Sequence, residues 1–252
     1  MLDYEQEAER YDALRGGEPR AAAAAEAVLG LVPAQARSLL DAGCGTGIVT
    51  RRLAGARDGL RVTGVDLAAA MVRQAAGRLP GAVVRADSRR LPFPGAAFDA
   101  VATVWLLHLV GGPAQARAVV AECARVLRPG GVYVTTVDKA AAHNVGSDID
   151  AVLASRPRSP VHDADADVES YARAHGLVPA GLARFPGLGQ GRSPRRTIAD
   201  LRRGWFVTLP PGDPLSERYA DRLAGLPDQE RPRPEPEFTL RAFRKQPSDP
   251  AS

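Results

Sequence analysis

The segment Leu39-Leu40-Asp41-Ala42-Gly43-Cys44-Gly45-Thr46-Gly47 constrains this chain most, because an apolar run gives way to three glycines in five positions and then to helical spacing. Glycine bends the backbone sharply and lets another group approach it closely. A strand, a tight turn and a helix opening, in that order, begin a strand-helix-strand unit whose free helix N–H groups face any ligand at the turn. Short apolar runs recur at 61–66, 82–86, 98–104 and 131–137, separated by helical spacing or turn residues. Strands that alternate with helices predict an α/β fold, with a doubly wound, mostly parallel sheet covered by helices on both faces. The clearest crossover helix is 113–127, with Ala116, Val119, Val120, Cys123, Val126 and Leu127 as its inner stripe and Arg128-Pro129-Gly130-Gly131 ending it.

The flanks carry patterns of their own. Tyr4, Ala8, Tyr11 and Arg15 share one face of an expected N-terminal helix that Gly16-Gly17 stops, and a second helix spans 19–30. Beyond Asp138 a helix is expected over 167–175 and a strand over 177–185. Ser193-Pro194 and Asp213-Pro214 each read as an N-cap followed by a first helical position. The first of these helices would align Ile198, Leu201, Trp205 and Leu209, and the second Leu215, Tyr219, Leu223 and Leu226. A proline-rich connector, 231–236, leads to an alternating run at 238–243, expected as an edge or antiparallel final strand and the seventh of the sheet.

Asp66 ends the second apolar run, where a carboxylate accepts hydrogen bonds from two ribose hydroxyls at once. The loop departs from the dinucleotide fingerprint in two respects: its third glycine comes one residue early, and Asp41 precedes the first glycine. A pyrophosphate would be repelled by Asp41, whereas a ligand bearing an ammonium and a sulfonium would be attracted. On these residues the chain resembles the class I S-adenosylmethionine-dependent methyltransferases, whose first motif is matched by Asp41, Gly43, Gly45 and Gly47. Phe98-Asp99 and Leu127-Arg128-Pro129-Gly130-Gly131 match later family marks, so the resemblance covers roughly residues 36–137.

That resemblance implies a Rossmann-like methyltransferase fold, with S-adenosylmethionine as cofactor and S-adenosylhomocysteine as product. It divides the chain into an N-terminal helical cap (1–35), a cofactor-binding core (36–139), a variable region with acceptor-binding helices (140–236) and a final core strand (237–246). By the same resemblance Asp66 holds the ribose, Leu67 and Met71 flank the adenine, and Asp87 with Ser88 meets its exocyclic amine. Thr103, at the end of the fourth strand, is expected beside the cofactor, and Tyr11-Asp12 with Arg15 is similar to a segment that folds over it and meets its carboxylate.

Methyl transfer is an in-line displacement, so the protein must chiefly align the acceptor and exclude water. His108 follows the fourth strand and is the candidate general base, with loop anchoring as its alternative role. Tyr4, Trp105, His108 and Trp205 are the candidate acceptor-binding residues. Asp138 and Asn144 lack a third ligand at suitable spacing, so no metal is expected. Cys44 and Cys123 read as reduced packing residues.

The fourth-strand end, Thr103-Val104-Trp105-Leu106, lacks the Asn/Asp-Pro-Pro-aromatic signature that grips a flipped base, and no paired-glutamate hairpin of the arginine-methylating kind is present. What is left is methylation of an O or N atom of a small organic acceptor, such as a secondary metabolite. The alternatives are another reaction on the same fold with the cofactor held structurally, or methylation of RNA read by Arg192, Arg195, Arg196, Arg202 and Arg203. The net charge of +4 hardly favours RNA: lysine occurs only at Lys139 and Lys245, and arginine abundance beside Ala, Gly and Pro has the character of codon bias. The acidic opening MLDYEQEAER and the lack of a long apolar window lead to the expectation of a soluble cytoplasmic protein with neither nucleic-acid nor membrane partner, as monomer or homodimer.

Overall fold

The computed structural model describes residues 11–158, 160–204, 209–210 and 212–247. Seven strands form one sheet: β1 (Ser38–Ala42), β2 (Arg61–Asp66), β3 (Val83–Arg85), β4 (Phe98–Thr103), β5 (Leu127–Val137), β6 (Leu177–Pro186) and β7 (Glu237–Lys245). Their order is β3-β2-β1-β4-β5-β7-β6. The first five pair in parallel, and β7 joins β5 and β6 antiparallel. Parallel pairing brings the carboxyl ends of β1, β2, β3, β4 and β5 to one rim, where open α/β sheets bind their ligands.

The helices are α1 (Gly17–Leu31), α2 (Ile48–Gly55), α3 (Ala69–Arg78), α4 (Pro113–Val126), α5 (Lys139–Ala142), α6 (Asp148–Leu153), α7 (Asp165–Arg173), α8 (Pro194–Arg202) and α9 (Pro214–Ala224). Strand alternation divides the core between the two faces of the sheet. Leu39, Ala100, Ala102, Val132 and Val134 pack with α1 and α2 on one side, while Leu40, Val101 and Tyr133 pack with α4 and α7 on the other. A third cluster, Ile149, Val152, Leu153, Leu201, Leu209, Tyr219 and Leu223, joins α6, α8 and α9. Among the described residues no helix is long and apolar enough to cross a membrane.

Three local readings change. β7 is antiparallel, one of the two expected alternatives, but it is an inner strand and β6 takes the edge. Phe238, Leu240, Ala242 and Phe243 are all buried, whereas β6 exposes Leu182 and carries Pro179 at a register shift, which blunts a free edge. Leu127, expected as the last residue of the crossover helix, and the run 128–131 that ends it open β5 instead, with a bulge opposite Phe98. Helix α8 stops at Arg202, so Leu209 reaches the third cluster from outside that helix. The expected caps form: Ser193 accepts from the Arg196 amide and Asp213 from the Leu215 amide.

Candidate functional site

After β1 the backbone doubles back. The Gly43 and Cys44 amides both donate to the Val65 carbonyl, at 2.7 and 2.9 Å, and the Gly47 amide donates to the Cys44 carbonyl at 3.0 Å. Gly43, Gly45 and Gly47 have φ of +82°, +56° and +76°, a region that side chains enter only at a cost. A Cβ on Gly43 would lie 2.9 Å from the Leu106 side chain, and one on Gly47 would lie 2.9 Å from Ala75 Cβ, whereas one on Gly45 would meet nothing within 4 Å. Two glycines therefore serve packing, and the middle one leaves a face open to a ligand. Cys44 is buried against Gly64, and burial pushes its thiol up, so it is inert packing.

Two carboxylates lie by this loop. Asp66 accepts from the Gly45 amide and from the Ala68 amide, both at 2.9 Å. Asp41 is buried, accepts from the Thr50 hydroxyl at 2.6 Å and is raised to about 6, chiefly by burial and further by the charge of Asp66. Beside Asp66, Leu67 leaves 58% of its surface exposed, an apolar plate on the rim. Met71 is buried, with Tyr11 and Ala68 packed against it and Ala70, so it supports that rim from beneath. Asp87 is gripped by Arg89, which holds its carboxyl below the usual range, and Ser88 next to it is buried.

The N-terminal segment is fastened to the loop by Asp12, which the resemblance names with Tyr11 and Arg15 without giving it this contact. The Thr46 hydroxyl donates to one Asp12 oxygen at 2.7 Å and an Arg78 nitrogen to the other at 2.6 Å, while a second Arg78 nitrogen donates to the Thr46 carbonyl at 2.6 Å. Arg15 lies 5.8 Å over the Tyr11 ring. Tyr4 and Trp205 lie outside the described residues.

At the ends of β4 and β5 the side chains take over. The Thr103 hydroxyl is fully buried between Tyr133 and Thr135, at 2.7 and 2.8 Å, and so is used inside the sheet instead of reaching the crevice. Trp105 adopts φ +56°, strained for a bulky residue, and its amide donates to the Thr136 hydroxyl at 2.7 Å. That bend sets its indole edge-on to Phe185 and Phe238, with the Arg20 guanidinium 4.1 Å from the ring centroid. His108 stands on the single turn Leu107–Leu109, and its buried Nδ1 has no hydrogen-bond partner among the described residues. Burial, with Lys139, Arg15 and His143 nearby, drives the His108 pKa well below the ordinary histidine value, so the ring is neutral near pH 7.

Beyond β5, burial and surrounding cations lower Lys139 to about 8 and His143 to about 2. The Lys139 amide donates to Asp163, and Arg192 donates to the His143 carbonyl and to Asp150. Neither Lys139 nor Arg20 was singled out from the sequence as a site residue. The available signal was an arginine on the apolar face of α1, among Ala21, Ala24, Ala25 and Val28. No group of three or more His, Cys, Asp or Glu able to hold a metal occurs among the described residues. A half-open recess at the opposite end of the sheet is lined by Asp99 and Arg128, which pair with each other at 2.5 Å.

Residues 40–135 match the family described as "Methyltransferase domain". The chain is 37% identical over 120 residues to the ubiquinone biosynthesis O-methyltransferase of Xylella fastidiosa, a match covering 44% of this chain and 46% of that protein. It is 38% identical over 110 residues to the 27-O-demethylrifamycin SV methyltransferase of Amycolatopsis mediterranei, covering 40% and 39%. The chain thus spans less than half the length of these curated relatives. Its fold is shared with the solved structure of the cyclase SpnF, at TM-score 0.61 and 18% identity over 97% of this chain and 94% of that one. At that identity the likeness shows the fold alone.

Proposed function

We propose, from the premise that residues 40–135 are a class I S-adenosylmethionine-dependent methyltransferase domain, that this chain methylates an O or N atom of a small organic molecule. The observation that carries the reading is the open face of Gly45 beside two carboxylates, Asp41 and Asp66, a set suited to a cationic nucleoside and ill-suited to a phosphate-bearing one. When bound, S-adenosylmethionine supplies a methyl group on a positively charged sulfur. Asp66 would hold the ribose hydroxyls, Leu67 would cover one face of the adenine, and Asp87 with Ser88 would meet its amine. Asp41 would balance the positive charge from behind the loop. Asp12 keeps the N-terminal segment, with Tyr11 and Arg15, against the loop and so limits the entry of water.

His108 would take the proton from the attacking hydroxyl or amine. It is neutral, its Nδ1 is uncommitted, and it follows β4 at the carboxyl rim. Trp105 would give the acceptor an apolar wall.

S-adenosylhomocysteine should raise the melting temperature while a nicotinamide dinucleotide should not. Equal shifts would overturn the cofactor reading. Labelled methyl should enter a small-metabolite extract and not total RNA; the reverse would overturn the acceptor class.

A further inference from the structure

Arg20 is only 6% exposed on the buried face of an alanine-rich helix; its side chain hydrogen-bonds Tyr11, and among the described residues no carboxylate is bonded to it. Its guanidinium lies over Trp105, and the Arg20 Nε and Trp105 Nε1 atoms are both buried without a hydrogen-bond partner among the described residues. Both groups can only donate, so what the spot lacks is an acceptor. Buried donors are nearly always satisfied, and two vacant ones on stacked side chains mark a place where a ligand oxygen is expected.

The surroundings are cationic. Trp105 meets Phe238 at 5.4 Å, Phe238 meets His143 at 5.5 Å, and Lys139 stands one helical turn before His143. Arg15, Arg20 and Arg192 each depress the basicity of both Lys139 and His143, so these groups share one small region at the end of β5. The nearby carboxylates have other duties. Asp150 is bound by Arg192 and by Ser147, and Asp163 accepts from the Lys139 amide without an ion pair to the Lys139 ammonium. Asp200 lies within reach of Arg15 and Arg192 and is itself raised by burial.

We propose that the acceptor carries an oxyanion, a carboxylate or a phosphate ester, which Arg20 and Lys139 hold while Trp105 underlies its apolar body. The proposal rests on the methyltransferase reading above and names the substrate class of that same site. Charge-assisted bonds to a desolvated guanidinium and ammonium favour such a group over a neutral isostere. The resemblance assigns the carboxylate of the cofactor to Arg15, whereas Arg20 stacks on Trp105 after β4 and Lys139 follows β5.

The test uses the full chain saturated with S-adenosylhomocysteine and titrated with 4-hydroxybenzoate, phenyl phosphate and the neutral 4-hydroxybenzamide. At least one anion should bind roughly tenfold or more tightly than the amide, and its affinity should fall with added salt. Lys139→Met should weaken that anion by about tenfold, and Lys139→Arg should restore most of it, with S-adenosylhomocysteine affinity held. Which anion binds separates carboxylate from phosphate. Binding of the amide as tightly as the anions, or of no anion at all, overturns the proposal. So does a Lys139→Met variant that loses S-adenosylhomocysteine and keeps the anion, because the cluster would then serve the cofactor. Failure of S-adenosylhomocysteine to bind the wild-type chain sinks the underlying reading instead, and the anion titration of the free protein still reports on the cluster.

Discussion

Around β1 and β2 the site is made of backbone, whereas beyond β4 and β5 it is made of side chains. In the first region three left-handed glycines, two paired amides on the Val65 carbonyl and the Gly45 amide on Asp66 shape the turn, and the side-chain bonds of Asp41 and Asp12 only brace it. In the second, Trp105 and His108 after β4, Arg20 from α1 and Lys139 from α5 come from three separate segments and converge only because the sheet order places β4 between β1 and β5. A backbone cradle tolerates almost no change of residue, while a side-chain cluster can be respecified one residue at a time. That division suits a common cofactor paired with a changeable acceptor.

The largest effect should come from the cradle. Gly47→Ala puts a Cβ 2.9 Å from Ala75 Cβ and 3.0 Å from its Cα at a φ of +76°. Left-handed strain and overpacking together should cost about 2–4 kcal/mol. Gly212→Ala, at φ +80° with nothing within 4 Å, carries only the strain and should cost about 1–2 kcal/mol. Denaturant midpoints of the two variants measure the contrast, and equal losses would break it.

On the side-chain half, His108→Ala should lower kcat roughly a hundredfold while leaving S-adenosylhomocysteine affinity unchanged. Near-normal turnover with lowered stability would return His108 to a packing role. Asp66→Ala addresses the cradle again, since it removes both the proposed ribose partner and the acceptor for the Gly45 amide. It should weaken S-adenosylhomocysteine by about 1–3 kcal/mol in a calorimetric titration.

The same division explains what could be read from the chain alone. Glycine spacing, the strand-ending Asp66 and the alternating apolar runs are local, and a local pattern determines a backbone turn or a strand, so the parallel core was legible. The place of β7 inside the sheet was not, because alternation over 238–243 marks one strand without saying which neighbours flank it. Thr103 was expected to face the cofactor, but residue type alone gave no sign that Tyr133 and Thr135 would claim its hydroxyl. Asp12 joins Thr46 and Arg78 across 34 and 66 residues, and no periodicity reports a contact at that separation. Arg20 was the missed legible case: a lone arginine on the buried stripe of an alanine helix signals a buried charge that needs a partner.

The smallest predicted effect is the most specific to Asp41. Its pKa of about 6 lies above the ordinary aspartate value near 3.9, because burial and the Asp66 charge outweigh the Thr50 hydrogen bond. Between about pH 4 and pH 6 the folded state therefore holds a proton that the unfolded chain has lost, so this group makes stability fall as pH rises through that window and level off above it. A cation at the loop favours the ionised carboxylate, so binding should expel the proton and tighten with rising pH. The gain should reach up to about tenfold between roughly pH 5 and pH 7, then flatten. S-adenosylmethionine carries one more positive charge than S-adenosylhomocysteine and should show the steeper rise, and Asp41→Asn should level both. Titrating the two nucleosides across this range decides the point: parallel, flat profiles would mean that Asp41 supports the turn through Thr50 and takes no part in recognising the sulfonium.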